Sequence, residues 1–363
     1  MKRKILALCL PLYLLASDTT YKAVPIISSN PTSGTGIGAL GVAMYKADKT
    51  SSPSQAILAA QYTDTDSYSI FGVNRLFFKN DKWQSNTFTG YIFNNSSFSF
   101  MTDMDVPTSI ELPSEIDINF KVKIFSVLEQ LLYKIKKDLY IGGQIFYVDQ
   151  AFSAEDLSGQ WFLKDRGIES FSRGGLGVTL SYDTRTKDEK FYPRDSTWIN
   201  VSLSDFPKFL GSDTEFFNGL INARKYISFG KDNDVFALQY YGQFCSKDTP
   251  DGALAALGMK NIIRGYPIGK YKARYMNAFQ TEYRYTILKT NFRIAPFVGY
   301  ANLSGGSKGT EAGNRDGDNG NYYSGGMGVH YILATKYQLD YRIDVAYSND
   351  DEVSVYASIN QAF

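Results

Sequence analysis

The stretch that decides the fold is VSVYASINQAF, Val353 to Phe363. Every second residue reads Val353, Val355, Ala357, Ile359, Gln361 and Phe363, while the intervening set reads Ser354, Tyr356, Ser358, Asn360 and Ala362. Successive side chains of a strand point to opposite faces. One face is therefore largely apolar and the other largely polar, as a strand between lipid and a polar lumen requires. The pattern recurs upstream. Tyr341, Ile343, Val345 and Tyr347 alternate with Asp340, Arg342, Asp344 and Ala346, and Phe279, Thr281, Tyr283 and Tyr285 alternate with Gln280, Glu282, Arg284 and Thr286. An Arg or Lys facing lipid at the bilayer midplane costs about 2–4 kcal/mol. The charged sets are expected to face a polar, charge-paired lumen.

Backbone groups in hydrocarbon must be hydrogen-bonded internally, so strands cross a membrane only as a closed barrel. No segment beyond the first residues is long and apolar enough for a transmembrane helix. Counting back from the end, periodicity and turn signals predict an all-β transmembrane antiparallel β-barrel of sixteen strands. They are expected near 352–362, 337–348, 322–333, 291–302, 273–288, 234–247, 216–229 and 195–206. Eight more are expected near 173–184, 138–150, 116–134, 84–96, 67–79, 54–64, 36–47 and 22–29. Pro296 predicts a bulge or a shortened strand. Tight turns at 136–138 and 30–34 and long segments at 97–115, 151–172, 248–272 and 303–321 suit periplasmic turns and extracellular loops. The charges of Lys187, Asp188, Glu189 and Lys190 read as a solvated loop.

At the other end, Lys2, Arg3 and Lys4 precede an apolar run from Ile5 to Ala16 and the small residues Ala16 and Ser17. This reads as a secretory signal peptide over 1–17, leaving 18–363 as a barrel in the outer membrane of a Gram-negative cell. Phe363, with Tyr356 and Ile359, is similar to the closing-strand signal of outer-membrane proteins. Its insertion is then expected to use the barrel assembly machinery, with outer-membrane lipid and lipopolysaccharide around the wall. The 15% aromatic content, with 27 Tyr and 25 Phe, suits girdles at two lipid boundaries. Without the leader's three basic residues, 35 basic face 37 acidic ones, and no nucleic-acid footprint is visible. Loss of Cys9 with the leader leaves Cys245 with no partner for an intramolecular disulfide. The single histidine, His330, has no assignable Ser-His-Asp arrangement, so catalysis is not expected. Zinc is poorly supported by one His and one Cys. Asn314, Asp316 and Asp318 are spaced like calcium ligands, but Gly325 stands where the closing Glu should. No cofactor or metal is expected.

Three stretches together resemble the BamA/TamA family, the bacterial surface antigen superfamily. IIRGYPIGKY, Ile262 to Tyr271, resembles that family's Val/Ile-Arg-Gly-Phe/Tyr loop motif. The stretch from Gly174 to Leu203, with Asp183, Arg185, Tyr192 and Pro193, resembles its Gly-rich hairpin with an Asp-Thr-Arg and a Tyr/Phe-Pro turn. GGMGVHYIL, RIDVAY and SINQAF follow its last three strands. The likeness runs from about Pro25 onward and is best after Gly174. It implies a long loop folded into the lumen, with Ile263, Arg264, Gly265 and Tyr266 as the motif and the Arg held by acidic wall residues. Glu282 and Asp344 are the best candidates, since both lie on the inward phase of nearby strands; Asp340 is a weaker one. These acids can instead, or as well, pair with Arg284, Arg293 and Arg342 across the lumen. Where the family often has Phe-x-Asp, this chain has Phe297, Val298 and Gly299. Periplasmic POTRA modules, which the family carries before its barrel, find no room here, so any periplasmic partner is expected in trans. The implied role is assistance in inserting or remodelling outer-membrane proteins or lipids through a weak seam beside a first strand of roughly six residues. A plugged pore or a structural barrel is the alternative.

Overall fold

Period-two alternation needs neighbours on both sides of every strand, and closure supplies them. In a computed structural model of the chain, which describes residues 19–30, 34–101, 115–154, 160, 170–229, 234–258, 262–266, 271–306, 319–351 and 353–363, the sheet closes into a barrel. Its strands are β1 Thr20–Asn30, β2 Gly34–Tyr45, β3 Ser54–Thr63, β4 Tyr68–Phe78, β5 Trp83–Met101, β6 Glu115–Lys136, β7 Leu139–Ser153 and β8 Phe171–Asp183. The second half comprises β9 Ser196–Phe206, β10 Phe216–Phe229, β11 Asp234–Cys245, β12 Tyr275–Thr286, β13 Phe292–Ser304, β14 Gly320–Ala334, β15 Leu339–Ser348 and β16 Val353–Ile359. Consecutive strands pair antiparallel, and β1 meets β16. A small ladder of Ala255–Ala256 with Lys272–Ala273 lies within the β11–β12 connection. The stretch assigned to a signal peptide and the calcium-like residues lie outside the described residues.

All sixteen expected strands are present, with four differences of detail. β1 is not a stub but an eleven-residue strand, because its whole length pairs with β2. The tight turn at 30–34 opens at the end of the long connections, whereas 184–195 opens at the end of the termini. Pro296 causes neither a bulge nor a shortened strand. The β12–β13 ladder skips Tyr283 and Arg284 opposite Ala295 and Pro296, then resumes in the same register at Tyr285 and Ile294. Two pairings are lost and the alternation survives. Finally, the last strand stops at Ile359, and Asn360 takes φ 69°. The left-handed residue turns Gln361, Ala362 and Phe363 away from the wall, so the lipid-facing phase read for Phe363 ends before it.

Ile37, Leu58, Ile145, Val178, Val298 and Val345 lie on the outer face and are exposed. Phe78 stacks on Trp83, and Tyr133 meets Trp83 edge to face, near the end that carries the termini, which is periplasmic by the rule that periplasmic turns are short. The lumen is less uniformly polar than expected. Val24, Ile26, Leu40, Val42, Met44, Phe191, Tyr337, Leu339 and Ile359 form one apolar cluster. Tyr192, Tyr226, Val235, Ala237, Ala362 and Phe363 form another at the same end. A third, around Tyr241, Leu257, Ile262, Ile263, Tyr266 and Met276, fills the opposite half.

Turn geometry outside the membrane is also specified. In the 46–53 connection, Asp48 accepts from the amides of Thr50 and Ser51, from both their hydroxyls, and from the Lys79 amide at 2.7 Å. Slight burial raises its pKa, but the hydrogen bonds from Ser51 and Thr50 outweigh that and hold the carboxyl well below the usual range. A depressed folded-state value adds stability above the unfolded pKa of about 4, lost as pH falls through the folded value. Asp48→Asn is expected to lower stability by about 1 kcal/mol at pH 7. In urea titrations followed by gel mobility, the gap from the native chain should shrink as pH falls below 4.

Candidate functional site

The connection between β11 and β12 enters the lumen because its apolar residues have a partner there. Ile262, Ile263 and Tyr266 are buried against Met276, Ala278, Ala301 and Leu303 from the walls of β12 and β13. Two backbone features aim the residue between them. Ile263 has φ 53°, uncommon for a β-branched residue, and Gly265 has φ 109°, where L side chains rarely fit. Gly299 contributes space: a Cβ there would come within 2.9 Å of the Ile263 Cδ1. The position where the family pattern has an acid is thus kept bare for the loop itself.

Arg264 sits 1% exposed at the centre of an ionic belt. Its Nη2 lies 2.8 Å from Glu282 Oε2, and its Nη1 donates to Asp344 Oδ2 at 2.8 Å. The guanidinium lies 3.5 Å from the Phe297 ring centroid, stacked on its face. Each acid has a second cation: Glu282 Oε1 accepts from Arg284 Nε at 2.9 Å, and Asp344 Oδ2 from Arg342 Nη1. The loop and wall pairings, which the sequence reading allowed to hold together, coexist. Asp340 is the exception among the three candidates, being bonded to Arg293 and Gln361. It lies nearer the periplasmic mouth, one turnward pair beyond Arg342. His330 stands between the two aspartates, with Nδ1 3.8 Å from Asp340 Oδ2 and Nε2 3.6 Å from Asp344 Oδ1.

Tyr266 donates its hydroxyl to the Tyr323 carbonyl at 2.8 Å and bonds Asn349. The Gly265 amide donates to the Tyr356 hydroxyl at 3.0 Å, tying the loop to the last strand. Sequence reading placed Tyr356 in a terminal signal and missed this contact. It also missed the space made by Gly326 and Gly328. A Cβ on the first would meet Phe297, and on the second Asp344 and His330. Inward glycines beside inward charges were the available sign.

The hairpin motif closes the opposite mouth. Asp183 accepts two bonds from the Arg185 guanidinium, both 2.9 Å, a third from the Arg185 amide at 3.1 Å, and one from Lys190 at 2.9 Å. Lys190 is consequently buried rather than solvated, a correction to the reading of 187–190 as a water-facing loop. The anchored turn pushes Phe191, Tyr192 and Pro193 inside, with Arg293 4.0 Å over the Tyr192 ring. The chain's last residues join them: Phe363 carbonyl accepts from Arg284 Nη2 at 2.7 Å, and Asn360 exchanges hydrogen bonds with Gln55.

This tail leaves a seam. β1 makes eleven register pairs with β2, and β16 makes seven with β15, but β1 and β16 share a single pair, Ser29 with Val355. The Tyr341 hydroxyl crosses from β15 to the Pro25 carbonyl at 2.9 Å. Carbonyl and nitrogen of one strand residue face the same neighbour, so the donor that Pro25 lacks is missing on the seam side.

Residues 58–363 match the Omp85 superfamily domain. The chain belongs to the Omp85 superfamily. This Omp85 barrel is similar in fold to BamA from Haemophilus ducreyi lacking POTRA domains 1–3, at TM-score 0.55 and 12% identity, covering 94% of this chain and 70% of that one. It is also similar to CdiB from Escherichia coli, at TM-score 0.61 and 10% identity, and to CdiB from Acinetobacter baumannii, at 0.59 and 9%. The chain spans 62% and 60% of those two proteins. No curated protein matches it.

The pairing pattern is testable by double-mutant cycles in denaturant. Arg264→Ala is expected to cost about 3 kcal/mol, the low end for a broken buried pair, because Glu282 and Asp344 each keep an arginine. Combined with Asp344→Ala it should show a coupling of roughly 0.5–3 kcal/mol, and with Asp340→Ala a smaller one.

Proposed function

We propose that this Omp85 barrel assists insertion or remodelling of outer-membrane proteins or lipids at the β1–β16 seam. The single Ser29–Val355 pair carries the reading. Below it, the β1 edge offers backbone groups that β16 does not pair, and such an edge is a template for an added strand. The tail supports this role, since Arg284, Gln55 and Asp340 hold Asn360 to Phe363 in the lumen instead of along β1. The ion pairs of Arg264 keep the lumen closed while the wall opens, so a client strand meets lipid rather than a leak. Outer-membrane lipid and lipopolysaccharide surround the wall, the barrel assembly machinery inserts the chain itself, and a periplasmic partner acts in trans where client delivery needs one.

The test is a reversible lock. Ser29→Cys with Val355→Cys, oxidised to a disulfide, should abolish the chain's stimulation of client-barrel folding into liposomes, and reductant should restore it. Full stimulation by the locked form would overturn the proposal.

A second reading, a plugged pore without assembly activity, is favoured by the occupancy of both mouths, by Tyr266 at one and by Tyr192 with Phe363 at the other. In that case Arg264→Ala should raise single-channel conductance in planar bilayers, the oxidised seam should conduct like the reduced one, and neither should affect client folding.

A further inference from the structure

On the face formed by β9 to β13, outward positions between the strand ends are neutral except at one place on β10. Lys225 is exposed on the outer face, in register with Thr197 of β9 and Leu238 of β11. The ladder continues outward through Thr281 of β12 and Val298 of β13. These short side chains form the floor of a furrow of about 690 Å³, a volume within the usual range of about 300–1,000 Å³ for small-molecule sites. Its upper wall is an aromatic ridge, with Tyr240 and Phe279 rings 4.8 Å apart and Tyr300 and Tyr323 rings 5.1 Å apart. Arg224, Gln239 and Gln280 also border it, but by alternation their side chains point into the lumen, and Arg224 lies over Trp198. Lys225 is therefore the one charged side chain that lines the furrow from the lipid side, among the described residues.

A lysine on a lipid face is costly at the midplane and cheap at the boundary, where its stem can lie along apolar surface while the ammonium reaches polar groups. Lys225 precedes Phe229 at the periplasmic end of β10 by four residues, about 13 Å along a tilted strand. Phe229 and Phe236 mark that boundary, their rings 6.4 Å apart. The ammonium donates to the Thr197 hydroxyl at 3.3 Å and makes no contact ion pair among the described residues; the Asp195 carboxylate, which accepts from the Ser228 amide at 2.8 Å, acts on it only through space. The position in direct contact with the ammonium on the lipid side is left for an anion of the membrane, and in the periplasmic leaflet that anion is a phosphodiester.

We propose that the furrow binds a glycerophospholipid of the periplasmic leaflet. Its phosphate sits on Lys225 and the Thr197 hydroxyl, and one acyl chain lies along Leu238, Thr281 and Val298 beneath the aromatic ridge. The site is separate from the seam and does not depend on the function proposed for it.

Native mass spectrometry of the detergent-purified chain titrated with dipalmitoyl phosphatidylglycerol tests the site. The native chain should retain one lipid after detergent removal, and Lys225→Arg should retain it too. Lys225→Leu should weaken binding about tenfold, and Val298→Trp, which fills the floor and leaves the charge, should do the same. Heat-modifiable gel mobility checks that each variant is folded. Unchanged binding by both variants overturns the proposal, as does equal displacement by lipid A, which would assign the site to the opposite leaflet. On the unmodified chain, a photoreactive phosphatidylglycerol should label 216–229 and 275–304 above all other segments. Even labelling around the barrel overturns the proposal without any variant.

Discussion

The backbone of this protein has nowhere to find hydrogen bonds except in itself. In hydrocarbon each unpaired N–H or C=O costs several kcal/mol, so sixteen strands must satisfy one another around a closed circuit. Closure explains the features that look accidental in isolation. β5 and β6 extend together to the pair Met101 and Glu115, β13 keeps register through Pro296, and β1 is as long as its partner β2 allows. The place where the circuit is least complete is consequently the most informative.

That place is set by competition for the end of the chain. Residues Asn360 to Phe363 could extend β16 along β1, or they could fill the lumen mouth beside Tyr192 and Tyr226. The lumen wins here through bonds to Gln55, Asp340 and Arg284 and through burial of Phe363. Pro25 weakens the alternative by removing one donor from the seam. The same residues thus plug one opening and expose another. Tyr356 joins this economy to the other mouth, since its hydroxyl holds the Gly265 amide of the inserted loop.

The lumen is stratified rather than simply polar. An apolar layer holds the loop, an ionic belt of Arg264, Glu282, Arg284, Arg342 and Asp344 lies next to it, and two apolar clusters close the periplasmic mouth. Burying such a belt contributes little net stability, because desolvation offsets attraction. Its effect is positional: it fixes which residue of a long connection lies where. Stacking of Arg264 on Phe297 takes part of the role left open by Gly299.

Strand number, strand order and the inward phase of Glu282 and Asp344 were legible in the chain, because a lipid boundary writes itself directly into period-two alternation. The loop motif was legible only by resemblance, since Arg-Gly-Tyr by itself specifies no partner. Asp340 and Asp344 share one strand and one phase, and nothing in their spacing tells which meets Arg264; the depth to which the loop descends decides it. Burial of Lys190, the inward turn at Asn360 and the furrow around Lys225 depend likewise on segments far apart in sequence converging at one height of the wall. Alternation assigns each residue a side of the sheet, but only the closed three-dimensional circuit assigns it a neighbour across the lumen.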